Sequence, residues 1–213
     1  MKFQTHPRMT HSPLAHPQFA QPTPPMAGGT PAAQAYPPGD TPGQTRPRAR
    51  PNAHNFAFPS LTGDAPIRME AFKGRPVLVV NTASACGYTS QYAELQTLWT
   101  LLRGRGLMVL GVPSNDFGGR EPGGAEEIAR FCADTYGVDF PLAGKQTVIG
   151  PAAHPFFHWA VSSVGEAGWP RWNFQKYLVT PDGRLAEIWP SPVRPLADVV
   201  LERIQALLNK AGL

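Results

Sequence analysis

Two residues in this 213-residue sequence can act as soft nucleophiles, Cys86 and Cys132, and they are its only cysteines. Cys86 lies in Asn81-Thr82-Ala83-Ser84-Ala85-Cys86-Gly87-Tyr88-Thr89, between an apolar run and a helical stripe. A thiol at the start of a helix meets unpaired backbone N–H groups and the positive end of the helix dipole. Both favour the thiolate, which is the reactive form. Gly87 lets a substrate approach the backbone closely. Position 89 is threonine, so the Cys-x-x-Cys pair of a thioredoxin-type dithiol exchanger is absent. A small thiol buried in a turn is the competing reading. Cys132 stands beside Phe131 on an apolar helical face and by itself reads as core. Its interest lies in pairing, because a thiolate oxidised to a sulfenic acid condenses with a nearby thiol to a disulfide. The histidines offer less. His6, His11 and His16 recur every five residues in a polar stretch without fixed geometry, and His154 and His158 form a two-residue pair with no third ligand. Surface histidines are expected at 154 and 158, with no metal and no cofactor.

The elements that must position the cysteines follow from periodicity. Val77 to Val80 form an apolar run after Pro76, which suits a buried strand. Tyr92, Leu95, Leu98, Trp99 and Leu102 form a helical stripe ended by Gly104 and Gly106. Leu107 to Val112 read as a second buried strand, closed by Pro113, and a loop with Phe117-Gly118-Gly119 follows. A helix is predicted from Ala125 to about Tyr136, with Ile128, Phe131, Cys132 and Thr135 on one face. Phe156, Phe157, Ala160, Val161 and Val164 mark a third helix. Lys176–Thr180 and Arg184–Trp189 flank Pro181-Asp182-Gly183, a strong hairpin signal. The last helix runs from Pro195 to about Lys210 and should bury Leu196, Val199, Val200, Ile204, Leu207 and Leu208. Ahead of all these, Phe56 and Phe58 alternate before the Thr62-Gly63-Asp64 turn, as in a hairpin. Two buried strands joined through a helix imply a parallel pair with a right-handed crossover. A terminal hairpin and helix then complete an α/β, thioredoxin-like fold, a mixed central sheet flanked by helices.

Composition narrows the class. The chain has a formal net charge of +4 and 25 prolines. Residues 1–52 hold 12 of those prolines and five basic residues against one acid, while the rest carries 14 of each sign. The basic character thus belongs to the first segment, and no nucleic-acid-binding domain is indicated. That segment reads as a disordered, proline-rich tail, or as the product of a start codon set too early, ahead of one domain over 53–213. No run suits a membrane span, and none suits the apolar core of an export signal. A reducing, cytoplasmic setting is therefore expected, where cysteines are catalytic or inert more often than structural.

Three blocks carry a resemblance: VVNTASACGYTSQYAELQTLW, VLGVPSNDFGGREPGGAEEIARFC and RWNFQKYLVTPDG. In type and order they resemble the glutathione peroxidase family, with similarity over roughly residues 54–209. The resemblance implies a cysteine form of the peroxidase in which Cys86 attacks the peroxide. Trp172 and Asn173 match the family's Trp-Asn pair. Cys132, 46 residues after Cys86, matches the resolving cysteine of thioredoxin-using members. Hydrogen peroxide and organic or lipid hydroperoxides are the implied substrates. Thioredoxin is the implied reductant, ahead of glutathione. The compact stretch between Leu142 and Trp172 implies a monomer. The family's Asn-Gln-Phe reads Asn115-Asp116-Phe117, and its catalytic glutamine is replaced by Arg120. A guanidinium donates hydrogen bonds but accepts none. Arg120 either serves the peroxide oxygen and favours the thiolate by its charge, or pairs with Glu121 or Asp116 and leaves the site empty. Two other functions stay open on these residues: a peroxide sensor that passes its disulfide to a partner, and an inactive thioredoxin-like binding module.

Overall fold

A computed structural model describes residues 52–63 and 65–213. Residues 1–51 of the tail, with its three histidines, and the turn residue Asp64 lie outside the described residues. The chain opens with a short antiparallel pair, β1 (Ala57–Phe58) and β2 (Ile67–Arg68), in the predicted hairpin. Then come β3 (Val77–Thr82), α1 (Gln91–Leu102), β4 (Met108–Pro113), α2 (Ala125–Tyr136) and α3 (Pro155–Val164). The hairpin β5 (Lys176–Val179) and β6 (Leu185–Trp189) and the helix α4 (Asp198–Lys210) complete it. The main sheet runs β4-β3-β5-β6. β3 and β4 are parallel, in register from Val77↔Met108 to Thr82↔Pro113, while β5 is antiparallel to both β3 and β6. The predicted crossover and hairpin are both present.

Every residue of β3, β4 and β5 is buried, so the sheet is covered on both faces. The β5 side chains show what covers each face, since neighbours in a strand point opposite ways. Tyr177 packs edge-on against Phe156 and Phe157 of α3. Lys176 points the other way, and its buried Nζ donates to Ser191 O and Val193 O at 3.2 and 2.5 Å. Gln91 at the start of α1 donates to the same Ser191 carbonyl at 2.7 Å. Burial pulls the Lys176 ammonium down to about 7. A neutral amine has two N–H groups, which matches two carbonyl acceptors.

Several details depart from the predicted pattern. β3 extends two residues beyond Val80, and α4 starts three residues after Pro195. α4 buries Val200, Ile204, Leu207 and Leu208, whereas Val199 is 55% exposed and Leu196 half-buried. In α2 only Ile128 and Cys132 are fully buried, and Thr135 faces solvent. Both helices bury a stripe narrower than the composition allows, because each lies against a single neighbouring surface. His154 is not a surface residue. It is half-buried, stacks on Phe58 at 4.0 Å, bonds Ala57 O through Nε2 at 3.0 Å, and accepts Phe156 N–H at Nδ1. It caps α3 and pins the opening hairpin to it.

Gly168 seats the chain between α3 and β5. A Cβ there would lie 2.4 Å from Ala160 C and Val161 N, both backbone atoms. Gly168→Ala is expected to lower stability by about 1–3 kcal/mol through overpacking. Urea unfolding would read this, and an unchanged midpoint would mean the segment shifts freely.

Candidate active site

The site is built at the C-terminal end of β3. The chain leaves the sheet at Thr82 and reaches α1 through a turn held by Thr89. The Thr89 hydroxyl accepts Cys86 N–H at 2.9 Å and lies 2.7 Å from Cys86 O and 3.0 Å from Ala83 O, two carbonyls to which it can donate. The threonine that rules out a dithiol pair is thus the residue that shapes the cysteine turn. Cys86 is half-buried, and its sulfur accepts Tyr88 N–H at 3.5 Å.

The Gly118–Arg120 loop runs beside this turn. Ala85 N donates to Arg120 O at 3.0 Å, and Arg120 Nη1 reaches back to Ala85 O at 3.5 Å. Arg120 is exposed and forms no ion pair with Glu121 or Asp116. Asp116 instead accepts the N–H groups of Val148 and Ile149 at 2.6 and 3.2 Å, which ties down a neighbouring loop. Of the two predicted fates for Arg120, the pairing with Glu121 or Asp116 is not made, and the side chain lies at the rim, against the cysteine turn at Ala85. Trp172 shares that rim. A Cβ at Gly118 would touch both Trp172 Cη2 (3.7 Å) and Arg120 Nε (3.6 Å), and the Phe117 ring lies 5.7 Å from the indole. Trp172 remains 40% exposed.

A residue not singled out in the sequence holds Trp172 in place. Asn81, fully buried in β3, donates through Nδ2 to Trp172 O at 3.0 Å and accepts Gln175 N–H at Oδ1 at 3.0 Å. Its backbone carbonyl accepts Phe174 N–H at 2.6 Å. Gln175 extends the clamp, accepting Arg171 N–H and donating to Trp169 O and the Tyr177 hydroxyl. Phe174 is held at φ 65°, the one non-glycine residue with positive φ among the described residues. Such a conformation costs about 1–3 kcal/mol and persists only where surroundings enforce it. Asn173 is fully buried, and neither end of its amide has a hydrogen-bond partner among the described residues.

Cys132 is fully buried on the inner side of α2, and both cysteines are free thiols. Burial first, and then the negative charge of Glu121, push its thiol up to about 11, against the pull of the Tyr92 phenol. Cys86, Arg120 and Trp172 are therefore gathered at one rim, with Asn173 buried behind it, while Cys132 is held back in the core. Among the described residues no three metal-ligating side chains come together.

Comparison with known proteins gives one pattern. A family model described as glutathione peroxidase matches residues 53–161. A hydroperoxy fatty acid reductase of Synechocystis is 40% identical over 169 residues, which cover 76% of this chain and 98% of that protein. A glutathione peroxidase-like peroxiredoxin of Schizosaccharomyces pombe is 43% identical over 132 residues, covering 61% and 84% of the two chains. The crystal structure of Trgpx in apo form aligns with a TM-score of 0.60 at 30% identity, over 75% of this chain and 97% of that one. A thioredoxin-family thiol:disulfide interchange protein of Chlorobium tepidum aligns with a TM-score of 0.54 at 15% identity, over 72% and 92%. That last likeness shows the thioredoxin-like fold.

The two thiols should separate cleanly by accessibility. An alkylating reagent at pH 8 is expected to label Cys86 in the native protein and Cys132 only after denaturation, as read by mass. Native labelling of both would contradict the burial. The raised Cys132 thiol means the fold binds that proton more tightly than the unfolded chain does. Its contribution to stability is therefore intact below about pH 9 and is lost as pH rises to about 11.

Proposed function

The chain belongs to the glutathione peroxidase family and is a thiol peroxidase, and on that premise we propose a two-cysteine cycle recycled by thioredoxin. Cys86 thiolate attacks the outer oxygen of a hydroperoxide. The O–O bond breaks, water or an alcohol leaves, and Cys86 becomes a sulfenic acid. Trp172 Nε1–H, the Asn173 amide and the Arg120 guanidinium hold the thiolate and the leaving oxygen, donors aimed where negative charge develops. Cys132 then attacks the Cys86 sulfur, releasing water and closing a disulfide. Thioredoxin reopens it by thiol–disulfide exchange. Glutathione is the lesser candidate, because a second thiol in the chain removes the need for it.

The observation that carries this reading is Cys86 itself, half-exposed on a rigid turn, with a backbone N–H on its sulfur and Arg120 and Trp172 at its rim. Cys132 is fully buried, so in the proposed resolving step α2 releases it to bring the two Cα atoms within about 7 Å. That helix is suited to release, since it fully buries only Ile128 and Cys132. Bulky substrates are supported by an apolar groove of about 350 Å³ lined by Phe117, Ile149, Trp169 and Pro170, next to Trp172. The name of the Synechocystis relative points the same way. The compact stretch between Leu142 and Trp172 supports a monomer, and the reductant implies a reducing, cytoplasmic setting.

The test is peroxide-dependent NADPH loss with thioredoxin and its reductase. Wild type should turn over, Cys86→Ser should not, and Cys132→Ser should react once and stall. Normal cycling of Cys132→Ser would overturn the two-cysteine scheme, and fast oxidation of Cys86 with negligible turnover would favour a sensor. Arg120→Ala separately tests the rim cation. A fall of about tenfold in the rate of Cys86 oxidation is expected, below the loss for a buried donor because Arg120 is exposed. An unchanged rate would remove Arg120 from the site.

A further inference from the structure

Glu121 is fully buried, yet neither carboxylate oxygen has a hydrogen-bond partner of good geometry among the described residues. An ionised carboxylate so placed is expensive, and the cycle described above does not use it. Its position is fixed on both sides. Glu121 N–H donates to Asn115 Oδ1 at 2.8 Å, and the Ala85 N–Arg120 O bond lays residues 120–121 along 84–85, next to Cys86. On that side the carboxyl interacts with the hydroxyl and N–H of Ser84, and the hydroxyl likewise makes no well-formed bond. On the other side the carboxyl charge acts on the Cys132 thiol and the Tyr92 phenol. Lys145 is the cation that acts on it, while Arg120 turns outward to Ala85 O. An unpaired carboxyl therefore sits between the elements that carry the two sulfurs.

We propose, on the reading that Cys132 resolves Cys86, that Glu121 is the proton carrier of the resolving step. Its carboxylate takes the proton from Cys132 Sγ as that sulfur attacks, and gives it to the hydroxyl leaving Cys86. The S–S bond forms and the Cys86 S–O bond breaks. The Cys132 sulfur is oxidised by one electron equivalent, the Cys86 sulfur is reduced by one, water departs, and Glu121 ends ionised as it began. The peroxide has already supplied the oxidising equivalents. The need for a carrier follows from the thiol itself, which is mostly protonated at pH 7 both in the core and after release towards Cys86. Burial also raises the Glu121 carboxyl, making it a stronger base than an exposed one. While ionised, it opposes a neighbouring thiolate, and accepting the proton removes that opposition.

The test is Glu121→Gln, which keeps the volume and removes the base, followed through both steps by rapid quench and mass. Cys86 oxidation should stay within about twofold of wild type. Disulfide closure should slow at least tenfold at pH 7. Its rate should then rise about tenfold per pH unit from 7 to 9, where wild type is flat, because hydroxide must now remove the thiol proton. Glu121→Asp should restore part of the rate and flatten the profile. A merely structural role would slow closure without changing its pH dependence. Closure of Glu121→Gln at the wild-type rate with the wild-type profile would overturn the proposal. If neither variant folds, the wild-type profile decides: a flat rate from pH 7 to 9 supports a carboxyl carrier, and a tenfold rise per unit overturns it. Cycling of Cys132→Ser with thioredoxin would bring down the resolving reading itself. A normal wild-type disulfide with an unaffected Glu121→Gln would bring down the Glu121 role alone.

Discussion

One amide joins the two halves of the site. Asn81 belongs to β3, the strand that delivers Cys86, and its side chain binds Trp172 O and Gln175 N–H on the segment that delivers Trp172 and Asn173. The two segments are some 90 residues apart in sequence. Without that clamp, the Trp172 segment would be fixed to the sheet only by the backbone bonds of Phe174 and Gln175 to Asn81 and by the pairing of β5 with β3. Because Asn81 is fully buried, each of its bonds is made out of competition with water, and losing either would strand a buried polar group. The clamp also explains how Phe174 keeps a positive φ. Phe174 N–H is bonded to Asn81 O, its ring lies edge-on to Tyr92 at 5.3 Å, and the flanking residues are tied by Asn81 and Gln175. The local strain is the consequence of turning the chain so that one residue faces the rim and the next faces the interior.

The same end of the sheet collects polar groups that lack good partners: Thr82 Oγ1, Ser84 Oγ, the Tyr92 hydroxyl, the Glu121 carboxyl and the Asn173 amide. Stable folds leave few such groups, and a cluster of them marks a place where stability has been given up for another end. The offset is visible elsewhere. β3, β4 and β5 are buried along their whole length, and the aromatic cluster of Phe56, Phe58, Phe156, Phe157 and Tyr177 locks α3 to the sheet and to the opening hairpin. A rigid, well-packed base lets a polar, underbonded apex persist.

The sequence made the base legible and the apex only in part. Continuous apolar runs identified β3 and β4, and Pro-Asp-Gly identified the β5–β6 hairpin, because burial on both faces and tight turns leave local signals. Cys86 was visible from its place between a strand and a helix. Asn81 was not, because a polar residue at the end of an apolar run reads as the point where a strand emerges into solvent. Glu121 reads in the sequence only as a pairing partner for Arg120, since burial of a lone carboxylate has no local signature. His154 was read as a surface histidine for the same reason: its acceptors and its stacking partner come from β1, about a hundred residues earlier. The narrow buried stripes of α2 and α4 were overestimated because composition sets how much of a helix can be buried, while only its neighbours set how much is.

The division of labour between the thiols follows from burial rather than from their sequence context. Cys86 has an N–H on its sulfur and an open approach, which suits it to meet peroxide first in the proposed cycle. Cys132 is shielded, and its proton is held so firmly that it offers peroxide almost no thiolate. In the proposed cycle it acts only once α2 loosens, and α2 is the helix that fully buries just Ile128 and Cys132. The loop that leads into that helix carries Arg120 at the rim, then Glu121 in the interior, then Pro122-Gly123-Gly124 before the first turn. Movement of α2 must therefore be felt within a few residues at both the rim cation and the buried carboxyl. A helix docked more tightly would make a more stable protein, but it would hold the second sulfur away from the first.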